Sequence, residues 1–216
     1  MLVAGGGLAL VSTVLCLGAH GDDIEIGCGG TVLKLVASNP NLNVHWVVLS
    51  AEGRRAEETR TSAERFLDGA GERVVEVEAF RERYFPYLPQ LKEFFDGLKT
   101  RVSPDLILTH HGADAHQDHR VVAQLTWSTF RDHLILEYEI PKYDGDLGRP
   151  NVFVGLDQQT AHRKARGIVQ GFPSQKDRYW FTEETFLALL RLRGIEARTT
   201  GGYAEAFNAR KLLLAR

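Results

Sequence analysis

The chain has 216 residues, of which 44% are hydrophobic and 25% are charged, and its formal net charge is −2. This length suits one α/β domain with a substantial core, and the near-neutral charge excludes the strong basic field of many nucleic-acid-binding proteins. Two cysteines, Cys16 and Cys28, are too few for a disulfide framework in a chain of this length. We therefore expect one domain over residues 1–216 in a reducing compartment, the cytoplasm, with no nucleic-acid partner.

The apolar run at residues 1–19 has two interpretations. It is as long as a membrane span, but glycines occupy positions 5–7 and the basic start of a signal peptide is missing. The run also ends directly in the polar sequence His20-Gly21-Asp22-Asp23. A buried strand that leads into a polar loop explains this pattern better. We therefore expect no stable membrane insertion.

Segments typical of strands and of helices alternate along the chain. Short runs of β-branched and aliphatic residues indicate buried strands, and apolar residues at helical spacing indicate amphipathic helices. In chain order we expect a strand at 11–17, a helix at 27–37, a strand at 44–49, a helix at 56–67, a strand at 74–77, a helix at 88–98, a strand at 105–109, a helix at 119–130, strands at 134–138 and 151–155, and helices at 157–169 and 182–192. This alternation predicts an α/β fold of three layers, with a Rossmann-like parallel sheet and helices on both faces.

Two polar clusters follow the first and fourth predicted strands. They are Gly18-Ala19-His20-Gly21-Asp22-Asp23 and His110-His111-Gly112-Ala113-Asp114-Ala115-His116-Gln117-Asp118-His119. In open α/β sheets, ligands bind beyond the carboxyl ends of the strands, where the strand order reverses. The first and fourth strands are neighbours at that point in the usual doubly wound order. We therefore expect the two clusters to meet in one site.

The residue types in these clusters are typical of a metal site. Imidazole and carboxylate side chains together suit zinc, and a catalytic zinc site uses three protein ligands and keeps one position open. His20, Asp23 and His119 would supply these three ligands. We expect Zn²⁺ as the cofactor, with another divalent metal as the alternative.

The remaining polar residues of the clusters suit acid–base chemistry. Asp22 could accept a proton from metal-bound water. His116, as an imidazolium, could stabilise a developing oxyanion and protonate a leaving amine. Asp118 could orient one of the histidines.

Each of these features also has a plain structural interpretation. Paired aspartates after a strand often cap the next helix, and isolated histidines such as His45, His133 and His162 usually have no special role. One cluster alone would not outweigh that interpretation. Two clusters at matching strand ends favour a functional site.

The sequence Gly27-Cys28-Gly29-Gly30-Thr31 opens the predicted helix at 27–37. Glycines at this position could form a phosphate-binding loop or could let the helix pack closely on the sheet. The chain contains neither GxGxxG nor GxxxxGK followed by Ser or Thr, so we favour close packing.

Two of these sequences resemble family signatures. Residues 19–31, Ala-His-Gly-Asp-Asp-Ile-Glu-Ile-Gly-Cys-Gly-Gly-Thr, resemble the AHPDD…GCGGT signature of the LmbE-like, or PIG-L-type, de-N-acetylases. His116-Gln117-Asp118-His119-Arg120 resembles the second signature of that family, HPDHR. Further similar positions, spread over nearly the whole chain, are Glu52-Gly53, Arg60, Glu64, Ser174-Gln175 and Tyr203-Ala204-Glu205-Ala206-Phe207.

This resemblance implies a single de-N-acetylase domain with a Rossmann-like fold. It implies a zinc site built from His20, Asp23 and His119. It also implies Asp22 as the general base and His116 as the charged catalytic histidine, acting on an N-acetylated amino sugar. These implied roles agree with those argued from the residues.

The chain departs from the family signatures at two positions. Gly21 stands where the first signature has proline, and Gln117 stands where the second has proline. Neither change removes a metal ligand, but we expect both to loosen the loops that carry the site.

Candidate substrate contacts lie at the same sheet edge. Arg54 and Arg55 follow the second strand and could bind sugar hydroxyls or a phosphate. Tyr143 lies in the turn-rich segment 137–151 after the fifth strand, where loops often determine specificity. We expect a small-molecule partner, an N-acetylglucosamine-type glycoconjugate or sugar nucleotide, and a homo-oligomer remains open.

Two other functions fit the same residues less well. One is a different metal amidase that cleaves a sugar–thiol conjugate. The other is a non-catalytic module that binds a sugar or a nucleotide. Asp22 argues against the binding module, because binding alone needs no base beside a metal.

Overall fold

The computed structural model describes residues 7–212, and seven strands within this range form one sheet. The strands are β1 (Thr13–His20), β2 (Asn43–Ser50), β3 (Arg73–Val77), β4 (Leu106–His110), β5 (Leu134–Tyr138), β6 (Val152–Leu156) and β7 (Tyr203–Asn208). Their order across the sheet is β3-β2-β1-β4-β5-β7-β6. The first five strands in this order pair in parallel, as the sequence predicts.

Helices cover both faces of the sheet. They are α1 (Asp23–Ser38), α2 (Gly53–Phe66), α3 (Pro89–Arg101), α4 (Gln117–Thr129), α5 (Gln158–Gly171) and α6 (Glu183–Ala197), with short 3₁₀ turns at Gly7–Leu10, Phe85–Tyr87 and Pro173–Gln175. One cluster of buried apolar side chains joins the sheet to α1, α2, α5 and α6, and a second joins it to α3 and α4. The predicted three-layer α/β fold is therefore confirmed.

The apolar segment before the first polar cluster forms a central strand. β1 runs from Thr13 to His20, and alternate side chains such as Val14 and Leu15 enter opposite cores. The strand predicted at 11–17 is confirmed, although it begins two residues later, at Thr13. Residues 1–6 of the apolar run lie outside the described range. Within that range, no helix has the length and apolar character needed to cross a bilayer. Cys16 and Cys28 are buried and free.

The seventh strand was not among the predicted strands, and it makes the sheet mixed. β7 runs antiparallel to both β5 and β6, between which it lies. It carries Glu205 into the interior, where this carboxylate accepts hydrogen bonds from the Gly30 N–H at 2.7 Å and the Thr31 N–H at 2.6 Å. The Lys164 ammonium of α5 lies 2.6 Å from the same carboxylate. β7 therefore links α1 to α5 through Glu205.

The glycine run lies inside α1, because this helix begins at Asp23 and not at the predicted residue 27. A Cβ atom at Gly27 would overlap the ring of Tyr138, and one at Gly29 would come within 2.6 Å of the Phe66 ring. The glycines let α1 approach the sheet and α2 closely. This supports the packing interpretation over a phosphate-binding loop.

Candidate functional site

Both polar clusters lie at the carboxyl edge of the sheet, where the paired strands β1 and β4 end at His20 and His110. A cavity of about 530 Å³ opens at this edge. Its lining includes the five residues predicted to bind metal or to act as acid or base that come from the two clusters' strand ends: His20, Asp22, Asp23, His116 and His119. Surface grooves of about 670 and 720 Å³ elsewhere contain none of these side chains. Of these three cavities, the edge cavity is therefore the candidate site, and the two clusters meet as predicted.

The three predicted metal ligands point their donor atoms at one another. His20 Nδ1 lies 3.3 Å from Asp23 Oδ2 and 3.2 Å from His119 Nε2. His119 Nε2 lies 3.5 Å from Asp23 Oδ2. In a tetrahedral zinc site with bonds of about 2.0 to 2.1 Å, neighbouring ligand atoms are separated by about 3.4 Å. The triangle of donors therefore has the spacing that one ion requires.

A second carboxylate contacts the other ring nitrogen of each predicted histidine ligand. His20 Nε2 lies 3.3 Å from Asp118 Oδ2, and His119 Nδ1 lies 3.0 Å from Asp114 Oδ2. Such partners fix the orientation and tautomer of a ligating histidine. The geometry is compatible with the orienting role predicted for Asp118. No role is predicted for Asp114 from the sequence, because no spacing rule separates it from the other polar residues of its cluster.

The charges around the triangle favour a cation. Burial alone would lower the pKa of His20, but Asp23 and Asp118 outweigh burial and raise that pKa to about 10. Burial would raise the pKa of Asp23, but His119, His110 and His20 outweigh it and lower that pKa well below its ordinary value. The same carboxylates that favour a proton on His20 would favour a divalent cation between the ligands.

His110 is buried next to the triangle of donors, and the sequence predicts no role for it. Its Nε2 lies 3.2 Å from Asp23 Oδ2, and its ring stacks on that of His119 with centroids 3.9 Å apart. Burial, then the charge of His119, lowers the pKa of His110 to about 4, so its ring is neutral at pH 7. Because Nε2 accepts a 2.9 Å hydrogen bond from the Ala19 N–H, His110 is a weaker candidate ligand than His20.

Other donor sets overlap with the predicted one. Donor atoms of His20, His116 and His119 lie within 4.8 Å of one another, and so do those of Asp23, His110 and His119. His119 belongs to every set. The cluster as a whole can therefore hold a metal ion, whichever set of ligands the ion uses.

Asp22 precedes α1 but does not cap it. This residue occupies the N-cap position without a hydrogen bond from its side chain to the helix. Its Oδ1 instead lies 2.7 Å from Nη2 of Arg55, a residue of α2 that also lines the cavity. The side chain of Asp22 thus pairs with Arg55 and does not cap the helix.

His116 occupies the N-cap position of α4 and lines the cavity. Its Nδ1 accepts a hydrogen bond of 3.2 Å from the Asp118 N–H, so this nitrogen carries no proton. Burial, and then the charges of His119 and His20, lower the pKa of His116 below its ordinary value. The surroundings therefore disfavour the charged form that was predicted for its catalytic role.

The two departures from the family signatures make close contacts. The Gln117 side chain donates to the carbonyl oxygen of Arg83, and the Arg83 N–H donates to Asp118 Oδ2 at 2.6 Å. Arg83 adopts the left-handed region with φ of 66°. Gly21 lies directly against Arg55 and Thr59 of α2. These contacts tie both loops to their neighbours, contrary to the loosening that we expected.

The predicted substrate contacts are not all in the cavity. Arg55 lines it, whereas Arg54 is 70% exposed and pairs with Glu58 at 3.1 Å. Tyr143 is 68% exposed and packs against Trp180, which lines the cavity. Further lining residues that sequence reasoning missed come from loops far apart in the chain: Arg81, Glu82, Lys142, Gln175, Arg178 and Trp180.

A family profile and a curated protein match parts of this sequence. A family profile described as "PIG-L: GlcNAc-PI de-N-acetylase" matches residues 15–130. The "Uncharacterized deacetylase YaiS" of Escherichia coli (strain K12) is 28% identical over 138 residues, which cover 59% of this chain and 74% of that protein.

Two solved structures show what the fold can host. N,N'-diacetylchitobiose deacetylase from Pyrococcus horikoshii, complexed with its inhibitor MPG, matches with a TM-score of 0.75 and 19% identity over 96% of this chain and 87% of that chain. GalB, the 4-carboxy-2-hydroxymuconate hydratase from Pseudomonas putida KT2440, also matches with a TM-score of 0.75, at 16% identity over 95% of this chain and 98% of that chain. At such identities the likeness shows the fold and not the reaction.

The family match is the more specific finding. It covers more than half of the 216 residues and includes both polar clusters. We conclude that the chain belongs to the GlcNAc-PI de-N-acetylase, or PIG-L, family.

Proposed function

We propose that this protein is a metal-dependent hydrolase that removes the acetyl group from an N-acetylated amino sugar. The observation that carries the proposal is the triangle formed by His20 Nδ1, Asp23 Oδ2 and His119 Nε2, with sides of 3.2 to 3.5 Å. Asp22 and His116 line the same cavity. Membership of the PIG-L family and the deacetylase names of two relatives support the same reaction.

His20, Asp23 and His119 would hold the metal, with Zn²⁺ as the proposed ion. A divalent cation held by these side chains would supply Lewis-acid polarisation of the amide carbonyl and lower the pKa of water. Asp118 and Asp114 would keep the two imidazole rings turned toward the ion, because each contacts the ring nitrogen on the far side.

Asp22 is proposed as the general base that removes a proton from the attacking water. It lies next to the proposed ligand Asp23, yet its own Oδ1 faces Arg55. His116 is proposed to stabilise the oxyanion and to give a proton to the departing amine. Since its pKa is lowered in the free protein, we propose that His116 is not protonated beforehand but receives during the reaction the proton that Asp22 removes from the attacking water.

The proposed substrate is a compound with an N-acetylglucosamine-type ring. The cavity volume of about 530 Å³ is within the range of small-molecule sites. Charged side chains such as Glu82, Lys142 and Arg178 line it, and Trp180 lies at its edge. These groups suit a ring that presents many hydroxyls better than an apolar acyl chain. The diacetylchitobiose deacetylase with the same fold acts on a substrate of this kind by its name.

A screen of amides tests this proposal. Purified protein with added zinc would be incubated with N-acetylglucosamine glycosides, N-acetyl sugar nucleotides, a sugar–thiol conjugate and N-acetyl amino acids. We expect equal amounts of acetate and primary amine from the sugars, and neither product with His119→Ala. Hydrolysis of amino acid amides alone would contradict the sugar assignment. Binding of zinc and a sugar without hydrolysis of any amide would favour the binding module.

A further inference from the structure

The absence of a side chain at Gly21 makes room for α2. A Cβ atom at this position would lie 2.5 Å from Thr59 Oγ1 and 3.1 Å from Arg55 Nε. Thr59 and Arg55 are one helical turn apart, and the Thr59 hydroxyl donates to the Arg55 carbonyl oxygen at 2.8 Å. Both distances to Cβ are shorter than ordinary van der Waals contacts. The Cβ atom of the signature proline would therefore require the Thr59 and Arg55 side chains to move.

Arg55 uses that room to reach Asp22. Its Nη2 lies 2.7 Å from Asp22 Oδ1, and its Nη1 donates to Ser174 Oγ at 3.3 Å. The guanidinium carbon also lies 4.9 Å from the centre of the Phe172 ring. Ser174 is held in turn by Glu58, which accepts its N–H at 3.0 Å. The guanidinium group is thus oriented from three sides and is only 22% exposed.

The Asp22 carboxylate depends on Arg55 for its orientation. Over the part of the chain that the structure describes, Arg55 is the one side chain within bonding distance of it. A carboxylate that forms an ion pair through Oδ1 keeps Oδ2 available for a proton. Without that ion pair, the carboxylate could rotate about its side-chain torsions and spend less time in the productive orientation.

We propose that Arg55 is a positioning residue for Asp22 and that Gly21 is the residue that admits it. This inference rests on the proposed function, in which Asp22 is the general base. It gives Arg55 a different role from the direct substrate contact predicted from the sequence. It also makes the glycine at position 21 part of the site, although glycine has no side chain to contribute.

Kinetics of Arg55 variants distinguish the two roles. With the best substrate from the screen, Arg55→Ala should lower kcat by about 10- to 100-fold, because small displacements of catalytic groups have effects of this size. KM and zinc content should stay within about twofold. Arg55→Lys or added guanidinium should restore part of kcat. Arg65→Ala, which removes an exposed arginine from the same helix, is the matched control. A raised KM with unchanged kcat would overturn the proposal in favour of substrate binding.

Substitution of Gly21 tests the second half of the proposal. Gly21→Ala should lower kcat in the wild-type protein, because the new Cβ displaces Arg55. The same change should cost less in the Arg55→Ala background, where the contact is already lost. An equal cost in both backgrounds would show that Gly21 acts independently of Arg55 and would overturn this half.

Crystal structures give a readout that does not depend on turnover. In Arg55→Ala, the Asp22 carboxylate should rotate or occupy more than one orientation, while His20, Asp23 and His119 stay in place. An Asp22 carboxylate in its wild-type orientation would overturn the positioning role. If the wild-type protein hydrolyses no amide, the proposed function fails, and the same pair of structures still decides whether Arg55 orients Asp22.

Discussion

At the scale of single residues, each proposed histidine ligand has one task per ring nitrogen. His119 turns Nε2 toward the other donors and Nδ1 toward Asp114, and His20 divides its nitrogens between Asp23 and Asp118 in the same way. A histidine that was merely buried would need one hydrogen-bond partner and no free nitrogen facing another imidazole. This division of tasks suits a ligand, which needs one nitrogen for the metal and a partner that orients the ring through the other.

Loss of one ligand should remove the metal. We expect about one divalent ion per wild-type chain and much less in His20→Ala and His119→Ala. The Asp114→Ala variant should keep the ion but bind it about 10- to 100-fold more weakly, since Asp114 contacts His119 and is not itself a proposed ligand. Elemental analysis and competition with a chelator would measure both effects. Full metal content in both histidine variants would contradict the assigned ligands.

The proposed base should affect rate and not metal. Asp22→Asn should keep the zinc and the fold and should lower kcat by roughly two or more orders of magnitude, because the amide cannot accept the proton. Elemental analysis, circular dichroism and steady-state kinetics would be compared with those of Asp23→Ala. Equal metal loss in the two variants would make Asp22 a ligand.

At the scale of elements, tertiary packing overrides local helix preference in α1. Apolar spacing predicted a helix that began at Gly27, although glycine itself disfavours helices. The structure extends the helix back to Asp23, because Gly27 and Gly29 pack against Tyr138 and Phe66, where larger residues do not fit. The early start places Asp23, a proposed ligand, on the first turn of α1 beside His20 of β1 and His119 of α4.

Alanine substitutions at two helix glycines distinguish the effect of close packing from the effect of helix propensity on stability. Gly27→Ala should destabilise the protein by about 1 to 3 kcal/mol or more, because the new methyl group overlaps the buried Tyr138 ring. Gly97→Ala in α3 meets no atom within 4 Å and should stabilise by up to about 1 kcal/mol. Chemical denaturation would measure both. Equal and favourable shifts would mean that α1 is not packed as described.

Glu137 of β5 contacts the segment after β4, helix α4 and the segment after β7. It accepts hydrogen bonds from the His111 ring, the Gly112 N–H and the Trp127 indole, and Arg210 lies 2.9 Å away. Burial would raise the pKa of Glu137, but these partners outweigh it and lower that pKa. The resulting stabilisation is fully present above the ordinary glutamate pKa and is lost as pH falls through the lower pKa of the folded state.

At low pH, replacement of Glu137 by an uncharged residue should therefore change the free energy of unfolding less than it does at neutral pH. Glu137→Gln should reduce the free energy of unfolding by about 1 to 3 kcal/mol at pH 7, because buried donors lose their acceptor. The difference from wild type should be smaller at pH 3, because the stabilisation by this carboxylate declines as pH falls below the ordinary glutamate pKa. Glu93→Gln, at an exposed position of α3, should show no such trend. An equal difference at both pH values would contradict the assigned pKa direction.

At the scale of the whole molecule, the proposed ion joins segments that the chain separates widely. His20 and Asp23 stand at the start of the fold, and His119 comes 99 residues after His20. Neither apolar core includes these side chains. The fold should therefore form without metal, and the ion should add to its stability.

Removal of metal should lower the melting temperature without unfolding the protein. Zinc at about 100 times its Kd contributes about 2.7 kcal/mol, which corresponds to about 5 to 10 °C for a chain of this size. Thermal melts with a chelator and after addition of zinc would measure the shift, with far-ultraviolet circular dichroism as the check on secondary structure. His119→Ala should not respond. A wild-type shift in that variant would place the stabilising ion elsewhere.

Local patterns predicted most of the fold because parallel strands and their covering helices follow from apolar periodicity. β7 escaped prediction because its sequence, Tyr203 to Asn208, contains Ala and a buried Glu that weaken a strand pattern. At the site, strand ends and residue types predicted which clusters meet. The pairing of Asp22 with Arg55 and of His119 with Asp114 depends on side-chain directions that no spacing rule gives.

The place of Glu205 in the chain also has a consequence for synthesis. This carboxylate is the acceptor for the N–H groups of Gly30 and Thr31, yet 174 residues separate Thr31 from it. At 5 to 20 residues per second, a ribosome needs roughly 10 to 35 s to cover that distance. During this time the N–H groups of α1 lack the Glu205 acceptor. Lys164 is also synthesised before Glu205, its partner in the ion pair. The nascent chain can thus complete this part of its interior only after Glu205 has been synthesised.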